Sequence, residues 1–152
     1  MICVVPFLFF RKFMLTQLIY SSRTTQPLTN NDLNEIVASS QRNNAEFGLT
    51  GALCYDNGIF LQCVEGERLA IQVLFQYLHV DTRHHEIEIA NVGKITQRRF
   101  PTWAMVFFSH QHVMDKIFLK NFVMADFNFF SMSPSKADEF FDEVAQHVML
   151  SD

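Results

Sequence analysis

At 152 residues, 17.7 kDa and a formal net charge of -4 at pH 7, the chain is the length of one domain and holds no room for a second, catalytic one. The acidic balance and the scatter of the basic residues exclude non-specific nucleic-acid binding, while a hydrophobic fraction of 49% is ample for a core. Cys3, Cys54 and Cys63 lack metal-ligand spacing and read as free thiols of a reducing compartment, so a cytoplasmic location is expected. His110 and His112 have strand spacing for chelation but no third ligand in view.

Residues 1–13 are an apolar run with Arg11 and Lys12 after it rather than before it, no small-residue cleavage site and too few residues to span a bilayer. A membrane-surface anchor fits their composition. The favoured expectation is that Met14 is the natural start, because a strand pattern begins directly after it. That first strand covers residues 15–20 and ends in Tyr20, whose hydroxyl needs a partner if buried. Thr29-x-x-Asp32 is a capping box that opens a helix reaching Asn44, with Gly48 as its stop. The inward stripe starts apolar with Leu33, Ile36 and Val37 and continues on the same face as Ser40 and Asn44, so this face turns polar.

Asp56-Asn57-Gly58 marks a hairpin between residues 50–55 and 59–65. With Asn57-Gly58 as its loop, Asp56 faces Ile59 and Leu53 faces Gln62, at the centre of a sheet. Gln62 interrupts Ile59-Phe60-Leu61-Gln62-Cys63-Val64, a run otherwise suited to a sheet interior. A buried amide left without partners costs roughly 1–3 kcal/mol, so something polar should lie beside it. An isolated glutamine would be an ordinary core amide bonded to a neighbour. With Tyr20, Ser40 and Asn44 on other core-patterned elements, it joins a set that suits a neutral heteroaromatic ligand bearing carbonyls and ring nitrogens.

Residues 66–79 read as a second helix with Leu69, Val73 and Tyr77 inward and Leu74 and Leu78 partly so, while Ile71 and Phe75 broaden the apolar face. Ile87, Ile89 and Asn91 alternate with Glu86 and Glu88 as a fourth strand, and residues 103–107 make a fifth, with Trp103 and Met105 on one face. The expected fold is α+β: a ferredoxin-like β-α-β-β-α-β-β sheet with two helices on one face and a groove between them for a planar ligand. From about Val113 the tail reads as a C-terminal helical extension of two helices. The clearer one opens at Ser135-x-x-Asp138 and carries Phe140, Phe141, Val144 and Val148 as a stripe able to cover the open sheet face. Phe118, Phe122, Phe127, Phe129 and Phe130 add to this aromatic tail.

Six stretches carry a family likeness in order: Leu18-Ile19-Tyr20-Ser21-Ser22, Ser40-Gln41-Arg42-Asn43-Asn44, Leu49-Thr50-Gly51-Ala52-Leu53-Cys54-Tyr55, Gly58-Ile59-Phe60-Leu61-Gln62-Cys63-Val64-Glu65-Gly66, Asp81-Thr82-Arg83-His84 and Arg98-Arg99-Phe100-Pro101-Thr102-Trp103-Ala104-Met105. Over about residues 14–107 the chain resembles the BLUF (blue light using flavin) photoreceptors. It departs from them at Cys63, where a bulkier residue is often found, and in residues 1–13, which have no counterpart. The domains implied are the 1–13 extension, a flavin-binding domain over 14–107 and a helical extension over 108–152.

The resemblance implies blue-light sensing through a non-covalently held flavin with no substrate turned over, so the chain is not expected to be an enzyme. It implies Tyr20 as redox partner, Gln62 as the amide switch, and Trp103 and Met105 as relay. Asn44 would hold the isoalloxazine carbonyl edge with Asn43 and Ser40 in support, and Arg83 and His84 would meet the ribityl-phosphate side. Lys94, Arg98 or Arg99 are less specific candidates for further phosphate contacts. FAD is the implied cofactor, with FMN and riboflavin as alternatives. The implied partner is a separate downstream signalling protein reached through the C-terminal helices; a homo-oligomer is open, and neither direct nucleic-acid binding nor a membrane span is expected. Two other classes compete. A small flavin-dependent oxidoreductase would need a Gly-rich phosphate turn or an acid–base pair that the chain does not display, and a ligand-free ferredoxin-like interaction module leaves the buried polar line unaccounted for.

Overall fold

The structure, a computed structural model, describes residues 14–102, 104–109, 130 and 132–151, apart from the side chains of 108, 109 and 148–151. Trp103, the 1–13 extension, the tail helix expected from Val113, the pair His110 and His112, and Phe118, Phe122, Phe127 and Phe129 lie outside the described residues.

Strands β1 (Leu15–Thr24), β2 (Thr50–Asp56), β3 (Ile59–Glu67), β4 (His84–Lys94) and β5 (Val106–Ser109) form one sheet in the order β4-β1-β3-β2-β5. β1 runs antiparallel to β3 and β4, and β2 antiparallel to β3 but parallel to β5. Helix α1 (Asn30–Glu46) links β1 to β2, α2 (Arg68–Val80) links β3 to β4, and α3 (Pro134–Ser151) follows the sheet. This is the ferredoxin-like α+β plan with an added edge strand.

Local chemistry sets the boundaries. Thr29 Oγ1 accepts the Asp32 N–H at 3.2 Å and Asp32 Oδ2 accepts the Thr29 N–H at 2.8 Å, the expected capping box. Asn57 and Gly58 both take positive φ, 46° and 81°, as a two-residue hairpin loop requires, and the register pairs Asp56 with Ile59 and Leu53 with Gln62. Gly66 belongs to β3 rather than to α2, which begins at Arg68; a Cβ at 66 would lie 2.4 Å from the Leu49 side chain.

One sheet face carries α1 and α2. Leu33, Ile36 and Val37 of α1 pack over Leu53, Phe60 and Met105, and α2 packs over Leu18, Tyr20 and Val64. The phase of α2 differs from the sequence expectation. Ile71, Leu74, Phe75 and Leu78 face the sheet, whereas Leu69, Val73 and Tyr77 turn outward with 52%, 38% and 62% of their surface exposed. Apolar residues surround most of this helix, and the i, i+3, i+4, i+7 set packs better than the i, i+4, i+8 set. In β4 the alternation is broken by register shifts between Ile19/Tyr20 and Ser21/Arg23 and by a φ of 53° at Glu86, so Ile87 packs inward while Ile89 is 46% exposed.

The opposite face is covered by α3. Phe140, Phe141 and Val144 are fully buried against Ile19, Cys54, Leu61, Cys63 and Phe100. The Phe141 ring meets Phe140 and Phe100 edge-on at centroid distances of 5.0 and 6.4 Å. Cys54 and Cys63 are free thiols in this layer, and burial pushes both above the ordinary thiol range. β5 starts at Val106, later than the sequence suggests, because the Ala104 and Met105 carbonyls accept side-chain amides of α1. Among the described residues no helix is long and apolar enough to cross a membrane.

Candidate functional site

Between α1 and α2, above the centre of the sheet, lies a cleft with about 740 Å³ of empty space that opens to solvent. Ile36, Leu53, Phe60, Leu74 and Leu78 supply apolar walls, and Ser40, Asn43, Asn44 and Gln62 supply polar groups within them. A few convergent polar groups inside a mostly apolar concavity are the usual make-up of a small-molecule site.

At the floor, Tyr20 and Gln62 are direct cross-strand neighbours on β1 and β3. The Tyr20 hydroxyl donates to Gln62 Oε1, and Gln62 Nε2 donates to Met105 Sδ at 3.6 Å. All three residues are buried. Burial, and then the negative charge of Asp81, push the Tyr20 pKa upward, so its hydroxyl keeps its proton and remains the donor. A thioether can only accept, so the two contacts together orient the amide with oxygen toward Tyr20 and nitrogen toward Met105. Asn44, only 2% exposed, donates from Nδ2 to Ala104 O at 2.9 Å, and Gln41 Nε2 donates to Met105 O at 3.1 Å.

The mouth of the cleft carries Asp81, Arg83 and His84. Arg83 Nη2 lies 2.6 Å from Asp81 Oδ2 and Nε 3.0 Å from Oδ1. The Arg83 hydrogen bonds hold the Asp81 carboxyl below its ordinary range. His84 Nδ1 is 2.9 Å from Ser22 Oγ, and burial lowers the ring pKa from its ordinary 6.5 even though Asp81 opposes the shift. The mouth therefore offers a guanidinium and a neutral imidazole.

Tyr20, Ser40, Asn43, Asn44, Gln62, Arg83 and His84 are thus brought together around one cleft, with Met105 behind Gln62; Trp103 lies outside the described residues. The supplementary basic residues do not line it. Arg98 donates to Thr50 Oγ1 at 3.0 Å and to Glu65 O at 3.1 Å, and Arg99 pairs with Asp142 at 2.8 Å. Lys94 closes β4, with its side chain exposed. The buried Glu65 carboxylate accepts the backbone N–H of Arg99 and of Phe100 at 2.9 Å, which fixes the chain away from the cleft. Sequence reasoning missed Ser22, Asp81 and Tyr77 as lining residues. Ser22 was legible from its even spacing with Tyr20 along β1, and Asp81 from its place in Asp81-Thr82-Arg83-His84.

The donor set fits a flavin. The Asn44 and Gln62 amides offer both donors and acceptors to a carbonyl and ring-nitrogen edge, the aliphatic walls suit ring faces, and Arg83 suits a phosphate. Among the described residues no group of three or more His, Cys, Asp or Glu could hold a metal. The family model for sensors of blue light using FAD matches residues 15–106. The beta subunit of the photoactivated adenylate cyclase of Euglena longa is 35% identical over 92 residues, 60% of this chain, and the matched part spans only 11% of that relative's length. Several solved structures are similar, two of them as follows. BlrB, a BLUF protein in its dark state, gives a TM-score of 0.77 at 29% identity over 90% of this chain and 98% of its own. A bacterial light-regulated adenylyl cyclase gives 0.62 at 26% identity over 91% of this chain and 35% of its own. The cleft and these likenesses together make the assignment: the chain belongs to the BLUF family of flavin-binding blue-light photoreceptors.

Proposed function

We propose that a flavin held between α1 and α2 senses blue light through the hydrogen-bonded series Tyr20–Gln62–Met105, and that the response leaves through α3 toward a separate partner protein. The observation that carries this reading is the series itself: a buried phenol donating to one end of an amide whose other end donates to a thioether. Asn44 is assigned to the carbonyl edge of the flavin ring, Ser40 and Asn43 to its support, and Arg83 and His84 to the ribityl-phosphate side, with FAD as the cofactor.

When bound, the flavin supplies blue-light absorption and an excited state able to take up an electron. The chain's residues do the rest. Tyr20 can give up an electron together with the proton it holds against Gln62 Oε1, because burial keeps that proton on the oxygen until then. The Gln62 amide has a donor end and an acceptor end, so rotating or tautomerising it rewrites the contacts to Tyr20 and Met105 without moving the backbone. Asn44 keeps Ala104 fixed while this happens, and the leucine and isoleucine walls limit water.

A BLUF domain is a photosensor and not by itself an enzyme. The cyclase activity named for the Euglena and bacterial relatives belongs to those longer proteins. For this chain the output is assigned to a change in affinity for a partner between dark and lit states, since a two-state receptor signals only through such a difference. The deciding experiment is a visible spectrum of the purified protein before and after blue light. A yellow protein with a reversible red shift and no substrate consumption is expected. A colourless protein that FAD, FMN and riboflavin all fail to reconstitute would overturn the assignment.

A further inference from the structure

The end of the segment joining β4 to β5 is bracketed from α1. Asn44 holds the Ala104 carbonyl at 2.9 Å and Gln41, one helical turn earlier, holds the Met105 carbonyl at 3.1 Å, just before β5 begins at Val106. Asn44 is buried and also lines the cleft. Gln41 is exposed and does not line it. Among the described residues the hydrogen bond recorded for the Gln41 side chain therefore reaches the site through the backbone of Met105, and the Met105 thioether stands 3.6 Å from Gln62 Nε2.

We infer that Gln41 is a positioning residue of the photoswitch: by holding the Met105 carbonyl it keeps the thioether at the Gln62 amide and so sets how fast the lit state returns to the dark state. The inference rests on the proposed role of Gln62. Its chemistry is one of acceptors. Sulfur accepts but cannot donate, so a thioether at this spot rewards the amide only when nitrogen faces it. Turning the amide over would set Gln62 Oε1 against Met105 Sδ, two acceptors with no proton between them. A firmly placed Met105 thus favours the amide orientation seen here, which the inference takes as the dark one, and a loosened Met105 removes part of that preference. The Gln41 bond lies at the surface and competes with water, so its removal should act gently, slowing dark recovery by roughly three- to tenfold rather than abolishing the switch.

The test compares the flavin-loaded wild-type protein with Gln41→Leu, Gln41→Glu and Gln41→Lys. Leu and Glu cannot donate to the Met105 carbonyl, whereas Lys can. Expected are unchanged flavin content and dark spectrum in all three, slower recovery after a blue pulse in Gln41→Leu and Gln41→Glu, and near wild-type recovery in Gln41→Lys. The methyl NMR resonance of Met105 in the dark gives a second readout, which should broaden or shift in the two non-donating variants alone. Wild-type recovery in Gln41→Leu and Gln41→Glu, or an equal change in Gln41→Lys, overturns the inference while leaving the wild-type light response intact. A wild-type protein without any light-induced shift would instead remove the reading of Gln62 on which it rests.

Discussion

Replacing Asp138 by Ala should loosen α3 from the sheet. Its carboxylate accepts Gln17 Nε2 and Asn91 Nδ2, both at 2.8 Å, and lies 3.4 Å from Arg99 Nη2, so one side chain ties α3 to β1, β4 and the segment after β4. Gln17 is only 5% exposed and its Oε1 already has no partner among the described residues, so losing Asp138 leaves the whole amide buried with no partner among them. Orphaning one buried polar group costs about 1–3 kcal/mol. Asn91 is half-buried and can recover water, and Arg99 keeps Asp142 at 2.8 Å, so those losses are smaller. The sum is about 2–3 kcal/mol. Urea unfolding should show that loss, and native-state hydrogen exchange should show where it falls. If α3 opens on its own, amides of residues 140–147 should lose protection by roughly 30- to 150-fold while those of β3 hold. Asp138→Asn should be nearly as disruptive, because its new NH₂ must face one of two donors. A loss under about 0.5 kcal/mol with unchanged protection would refute the reasoning and leave the apolar seam around Phe140, Phe141 and Val144 as the main source of docking energy.

Other outcomes follow from the same geometry. Gln62→Leu should keep flavin and lose the red-shifted state, and Tyr20→Phe should block the normal photocycle with the fold intact; ordinary shifts in both would leave the switch without support. His84 should make stability pH-dependent: its folded pKa lies below 6.5, so the unfolded chain binds the proton more readily. Its contribution is intact above about pH 6.5 and declines as pH falls toward the depressed folded value, with Asp81, Arg83 and His79 as the neighbouring charges; melting temperatures across that interval should be flatter in His84→Gln. A chain beginning at Met14 should bind flavin and respond to light as the full chain does, and loss of flavin in it would place residues 1–13 within the working fold.

Much of the site was legible because its signals are local or repeat along one element. The Thr29–Asp32 box, the Asn57–Gly58 loop and the polar turn of the α1 stripe at Ser40 and Asn44 each follow from a few neighbouring residues. The hairpin register placed Gln62 opposite Leu53 before any tertiary contact was needed. The phase of α2 was not legible, because apolar residues at 69, 71, 73, 74, 75, 77 and 78 allow more than one inward stripe and only packing on Leu18 and Val64 selects among them. The strand irregularities of β4 were hidden for a similar reason: Glu86 at positive φ has no Gly or Asn to announce it. Arg98 and Arg99 looked like ligand contacts because a basic pair gives no hint that Glu65, more than thirty positions away, takes the Arg98 guanidinium on its carbonyl and the Arg99 backbone N–H on its carboxylate.

Gln62 faces the cleft and Cys63 faces α3, so β3 itself separates the cleft floor from the tail by one peptide unit. A sheet strand paired on both sides is a poor moving part, because any shift must break ladders to β1 and β2 at once. The segment from Arg98 to Met105 is a better one. Glu65 grips its start, Gln41 and Asn44 grip its end, and Arg99 reaches Asp138 and Asp142 on α3. Met105 touches Gln62 from one end of this segment while Arg99 touches α3 from the other, so under the proposed role of Gln62 a change in the amide has a route to the tail that leaves the five-stranded ladder standing. On this argument Asp138→Ala should retain the full spectral shift, since its partners Gln17, Asn91 and Arg99 do not line the cleft, yet lose the difference in α3 hydrogen exchange between dark and illuminated protein. A spectral shift lost along with the exchange difference would mean that α3 docking also shapes the cleft, and that the two faces are one cooperative unit rather than a sensor and its lever.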